Sequence, residues 1–274
     1  MRTLFFTVSL IIMTFFNYPK TDKRAKEGAN SVLLGMVLLE EPGSIDIGRV
    51  VNELTDKWNL KVSDSEISNE ASILIINGYR IAIADMQMPI PGDEITEAAA
   101  YNYLWENGNE EAGNHKGHII VSIMNGGKDP VKENLLYSRI AASVLNNSKS
   151  IGIYIGGRTL LLKKEFYLAN VEMMSEKDLL LYNWIYFGLR QENGKQSIYT
   201  YGLADFNKSE MEIVNSKHSL EELNEIMYDL THYVIAYDVV LRDGETVGFS
   251  EEQKLKVSKS KGKYLEGETL KIEY

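Results

Sequence analysis

The residues best suited to chemistry are His115 and His118, the one His-x-x-His pair in the chain. On a helix that spacing would place both rings on one face, where they could hold a metal or move a proton. Glu110 and Glu111, just upstream, could add a carboxylate. The segment is instead a Gly- and Asn-containing loop that runs into an apolar strand. In extended backbone a spacing of three sends the rings to opposite faces. A structural or capping role is expected, with no catalytic residue, no bound metal and no other cofactor. Metal-assisted or acid–base chemistry is the alternative.

Two glycine turns come next. Gly126, Gly127 and Lys128 follow one strand-like run, and Gly156, Gly157 and Arg158 follow another. Backbone N–H groups at such turns can bind an anion, with the basic residue assisting. Neither turn matches a P-loop or a dinucleotide fingerprint, and paired glycines more often serve turn geometry alone. They stand as weak ligand-binding candidates. Asp85, Asp205, Lys208 and Glu210 lie at strand ends and gain interest only if the fold gathers them. His232 lies on a long helix beside its apolar stripe, with no second axial ligand for haem. The serines have no nucleophile-elbow context.

Composition narrows the function classes. The formal net charge of −10 opposes phosphate backbones, so nucleic acid is not an expected partner. The chain has no cysteine, which removes disulfides, thiolate metal sites and thiol nucleophiles. Lys254, Lys256, Lys259, Lys261 and Lys263 form a local basic stretch without interleaved aromatics, a pattern that guards a sheet edge.

The N-terminus allows two readings. Leu4–Phe16 is apolar and follows one Arg, like a secretory signal. Lys20, Lys23, Arg24 and Lys26 come directly after it and oppose translocation, and the run is short for a membrane span. Residues 1–30 are expected to lie outside the fold, with Met13 a candidate first residue. A cytoplasmic protein without a stable membrane span is expected; export is the alternative.

The elements that must position these residues repeat. Ser31–Glu40 reads as a buried strand, and Ile47, Val50, Val51, Leu54 and Trp58 as one helical face. Ser72–Ile76 and Tyr79–Asp85 flank Asn77-Gly78, a type I′ hairpin signal. A helix over Ile95–Leu104 and a strand over His118–Met124 follow. Asp129-Pro130 opens a connecting helix. Ser150–Ile155, a helix near Lys163–Met174 and a hairpin at Asn193-Gly194 repeat the order. A capping box at Ser219 and Glu222 starts the next helix, and Ile235–Leu241 reads as a closing strand. The expected fold class is α+β, as two tandem split βαββαβ (ferredoxin-like) halves with a C-terminal β extension. The segments are 1–30, a first half at 31–128, a connecting helix at 129–149, a second half at 150–242 and the extension at 243–274.

Several stretches resemble an uncharacterised bacterial family, domain of unknown function 4261. They are Met88-Pro-Ile-Pro91, Trp105, His115 with His118, Thr200-Tyr-Gly-Leu203 with Phe206 and Glu210, Asp243-Gly-Glu-Thr-Val-Gly248, and Gly267-Glu-Thr-Leu-Lys-Ile-Glu-Tyr274. Gly117 stands where that family usually has Ala. The resemblance implies no particular activity. The function expected from the chain is binding of a protein or small ligand without catalysis; a hydrolase or metal-assisted enzyme using His115 and His118 is the alternative.

Overall fold

Asn77-Gly78 and Asn193-Gly194 both turn the chain as expected. All four residues have positive φ (50°, 84°, 50° and 71°), as a type I′ turn requires. The computed structural model describes residues 31–68, 71–250 and 254–274. The run Leu4–Phe16 and the basic stretch after it lie outside the described residues. The fold is mixed α and β, with two sheets and, among the described residues, six α-helices. None of those helices is long and apolar enough to cross a membrane.

The first sheet has seven strands. They are β1 (Ser31–Leu39), β2 (Val62–Glu66), β3 (Ala71–Ile76), β4 (Tyr79–Met86), β5 (Gly117–Gly126), β6 (Ser150–Ile155) and β7 (Leu160–Lys163). Their order is β2-β3-β4-β5-β1-β6-β7, and every neighbouring pair is antiparallel. One face carries α1 (Ile47–Asp56), α4 (Pro130–Asn146) and α5 (Lys164–Met173). Val50 and Leu54 of α1 sit one turn apart and are fully buried, each contributing about 1.5–3 kcal/mol. Asp46 caps α1 and Asp129 caps α4, where Pro130 occupies the first turn. The opposite face is covered by α2 (Glu94–Ala100), α3 (Gly108–Gly113) and Ile90, around Leu38, Trp105, Tyr154 and Leu161.

The second sheet runs β11-β12-β13-β10-β9-β8. Its strands are β8 (Tyr186–Glu192), β9 (Lys195–Tyr201), β10 (Met211–Ser216), β11 (Thr246–Val247), β12 (Leu255–Lys261) and β13 (Glu268–Ile272). Only β10 and β13 pair in parallel. Helix α6 (Leu220–Ala236) opens with the expected capping box and packs Leu223, Met227, Leu230 and Val234 with Phe187, Ile198 and Ile213. Lys256, Lys259 and Lys261 of β12 are exposed, and Lys259 pairs with Glu268 at 2.8 Å.

The tandem ferredoxin-like arrangement is not what the strands form. In a split βαββαβ unit the first strand lies between the third and fourth. Here β5 lies between β4 and β1. The cause is β2, a polar strand exposed along most of its length, which carries no apolar signal and adds one reversal of direction before β3. Ser150–Ile155 was expected to open a second unit; it pairs with β1 and extends the first sheet. Ile235–Leu241 is not a strand. Helix α6 runs through Ala236, Asp238 turns with φ of 52°, and Val239 and Leu241 plug the core from irregular backbone.

Candidate functional site

His115 and His118 are both buried and both grip the loop after β4. The Ile90 N–H donates to His115 Nε2 at 2.8 Å, so the ring proton sits on Nδ1 and is donated to the Ala112 carbonyl at 2.7 Å. His118 Nδ1 lies 2.9 Å from the Met88 carbonyl and donates to it. His118 Nε2 is buried without a protein partner. Burial holds both imidazoles below their ordinary pKa, so both are neutral at pH 7. His115 precedes the strand rather than lying in it. The two rings therefore converge on one loop, where opposite faces were expected. Glu111 is occupied elsewhere, accepting from Trp105 Nε1 at 2.9 Å and pairing with Lys163 at 3.1 Å. Trp105 and Lys163 hold its carboxyl below the usual range. Glu110 caps no ring; its carbonyl accepts from Asn114. Among the described residues no group of three or more His, Asp or Glu is placed to hold a metal.

The first glycine turn already holds an anion, and it belongs to the chain. Buried Glu133 accepts from the N–H groups of Gly127 (2.8 Å), Lys128 (3.0 Å) and Asp129 (3.2 Å). Gly127 takes φ of 101°, which aims these donors inward, while Lys128 stays exposed. Gly126 ends β5 and is buried. Glu133→Ala would strand three donors, so a loss of about 2–3 kcal/mol is expected, measured by urea unfolding. A loss below about 0.5 kcal/mol, the size of an ordinary surface change, would sink this assignment.

The second turn is likewise internal. Gly156 and Gly157 form a 3-10 turn that carries Arg158, 2% exposed, into the protein. Arg158 Nε donates to Asp205 at 2.8 Å. Its Nη1 donates to Asn134 Oδ1 at 2.7 Å and to the Trp184 carbonyl at 3.2 Å. The guanidinium lies 5.4 Å over Phe206, whose ring stacks on Trp184. Arg158 thus ties the first sheet to α4 and to the turn after β9.

That turn contains a second internal carboxylate. Glu210 accepts from Thr200 Oγ1 (2.8 Å) and from the N–H groups of Gly202 (2.8 Å) and Ala204 (3.3 Å). These bonds favour the charged form, but burial outweighs them and pushes the carboxyl up to about 7. Glu212, fully buried on β10, accepts from Lys263 and Tyr264 N–H and pairs with Lys271 at 2.9 Å. The fold gathers Asp205 and Glu210 at one turn. Lys208 pairs with Asp238 instead, and Asp85 is bonded to the Gly43 backbone in the first sheet.

A further polar group, the half-buried Arg190, lies on β8. Strand alternation puts Phe187 under α6 and Tyr186, Gly188 and Arg190 on the other face of β8. Register places Tyr199 opposite Gly188, and a Cβ there would fall 2.1 Å from the Tyr199 ring. The missing side chain lets the ring lie flat across β8 beside Arg190. The Arg190 guanidinium sits 5.3 Å from the Tyr101 ring centroid and 5.4 Å from that of Tyr199. Its Nη2 donates to Tyr199 Oη at 3.1 Å, and its Nη1 to the Leu189 carbonyl at 3.0 Å. Tyr186 donates to the Tyr101 carbonyl at 2.9 Å, and Tyr264 stacks on Tyr199 at 5.6 Å. Tyr101 and Tyr103 are exposed at 56% and 41%. Sequence reasoning passed over these residues. The available signal was Tyr199 and Tyr201 two apart on a strand, facing a glycine strand after a hairpin.

Residues 199–273 match a family model described as a domain of unknown function (DUF4261). The match spans the last three residues of β9 and all of β10, α6, β11, β12 and β13. It contains Thr200 to Leu203, Phe206, Glu210 and nearly all of the tail. The segments from Met88 to His118 lie outside it. No curated protein and no solved structure matches the chain.

Proposed function

We propose that the protein is a binding module without catalytic activity, and that it recognises its ligand on the tyrosine–arginine platform formed by Arg190, Tyr101, Tyr103, Tyr186 and Tyr199. The observation that carries this reading is Arg190 itself. Its guanidinium lies 5.3 and 5.4 Å from the centroids of the Tyr101 and Tyr199 rings, and among the described residues no carboxylate forms an ion pair with it. Most of the polar groups singled out for chemistry have instead an internal use. His115 and His118 hold a loop, Glu133 fills one turn, and Arg158 braces two sheets. Exposed tyrosines beside an arginine are the residue types enriched where proteins bind. The net charge of −10 disfavours nucleic acid as the ligand. The basic residues after Leu4–Phe16 support a cytoplasmic setting.

The test is a thermal-shift screen of small acids, amides, sugars and short peptides against the full chain. At least one compound should raise the midpoint, and Tyr101→Ala should abolish that shift. A compound that stabilises the Tyr101→Ala chain equally would remove the platform from the reading. Hydrolysis of an ester or amide substrate, lost in His118→Asn but retained in Tyr101→Ala, would replace it with the enzyme alternative.

A further inference from the structure

We infer that the ligand of this platform bears a carboxylate, taken edge-on by Arg190, with an apolar body laid on Tyr101 and Tyr103. The inference rests on the binding reading above and adds the ligand's chemistry. A guanidinium has five N–H donors in one plane. Two are used, one on the Leu189 carbonyl and one on Tyr199 Oη. At most three remain, because the Tyr186 hydroxyl also lies within reach of the guanidinium. The Tyr101 and Tyr199 rings lie within 5.3 and 5.4 Å of the guanidinium carbon, and such contacts favour a ring over the cation's face. The free donors therefore present an edge, and a carboxylate matches it with two parallel N–H···O bonds.

The net charge of −10 favours a ligand with a single negative charge over a multiply charged one. A phosphate dianion would meet more repulsion from that charge than a monoanion. The exposed Tyr101 and Tyr103 rings offer apolar contact area at low entropic cost.

Calorimetric titration of the full chain with N-acetylphenylalanine, its carboxamide and inorganic phosphate tests this. The acid should bind, while the amide and phosphate should be at least about tenfold weaker, because neither reproduces a singly charged planar fork. Arg190→Lys keeps the charge but loses the fork, so affinity for the acid should fall about tenfold or more. Circular dichroism melts of Arg190→Lys check that the fold persists. Equal binding of acid and amide, or unchanged affinity in Arg190→Lys, overturns the carboxylate assignment. If the amide binds and Tyr101→Ala abolishes it, the platform stands and only the ligand class fails. If nothing binds, the inference is wrong. Presenting the same acid as the C-terminal residue of a ten-residue peptide separates the sources. Tighter peptide binding assigns the site to a protein carboxylate, and equal binding to a small acid.

Discussion

Arg158→Ala is expected to destabilise the fold by about 3–5 kcal/mol, the range for removing one partner of a buried charged pair. The guanidinium is nearly enclosed and satisfies Asp205, Asn134 and the Trp184 carbonyl together. Truncation strands those acceptors and opens a void against Phe206. Part of the Asp205 side chain reaches solvent, which holds the effect toward the lower end. Arg158→Lys should recover only part of the loss. One ammonium cannot reach three acceptors in the directions a planar fork does. Urea unfolding monitored by tryptophan fluorescence measures both, since Trp184 lies in the network. A loss under about 1 kcal/mol for the alanine variant would mean that Arg158 is not a brace between the sheets.

The second large effect depends on pH. The Glu210 carboxyl is raised by burial from its ordinary 4.5 to about 7 in the folded chain. The fold therefore prefers the protonated acid. That preference contributes fully below the unfolded value near 4.5 and is lost as pH rises through about 7. Glu210→Gln mimics the protonated form and should not lose it. The variant should be close to the natural chain at pH 4 and more stable by up to about 3 kcal/mol at pH 8.5, at roughly 1.4 kcal/mol per unit. Paired chemical-denaturation curves from pH 4 to 8.5 measure the difference. A difference that stays flat, or that grows toward low pH, would show that the hydrogen bonds from Thr200, Gly202 and Ala204 outweigh burial.

The two effects meet in one turn. Glu210 holds the backbone at Gly202 and Ala204, and Asp205 in the same turn meets Arg158. Both lie within or against the segment that matches the family model. Residues from that segment, Thr200, Gly202, Phe206 and Glu210, thus serve the stability of a junction between sheets. The platform draws only Tyr199 from it, with Tyr264 stacked behind that ring. Tyr101, Tyr186 and Arg190 come from earlier in the chain.

Much of the local structure was legible in the sequence. Asn77-Gly78 and Asn193-Gly194 specify their turns because both residues tolerate positive φ. Asp129-Pro130 and Ser219 with Glu222 specify helix starts because each bond they make lies within one turn of helix. The apolar stripes of α1 and α6 follow from helical periodicity. Such signals are carried by neighbours in the chain and survive any tertiary arrangement.

Strand partners and the use of each polar residue were decided only by the tertiary structure. An apolar run such as Ser150–Ile155 fits either sheet, and nothing local says that it pairs with β1. The polar β2 gives no burial signal, yet its one added reversal flips the direction of the β3–β4 hairpin relative to β1. Gly126, Gly127 and Lys128 look like an anion site until Glu133 fills it from the next helix. His115 and His118 look like ligands until Ala112, Met88 and Ile90 take three of their four ring nitrogens. Arg190 looks like any strand arginine until Gly188 lets Tyr199 lie across the sheet and the segment after α2 brings Tyr101 to its other ring contact. A backbone preference is a property of adjacent residues. A hydrogen-bond partner or a ring contact is a property of space, and folding brings together residues the sequence holds far apart.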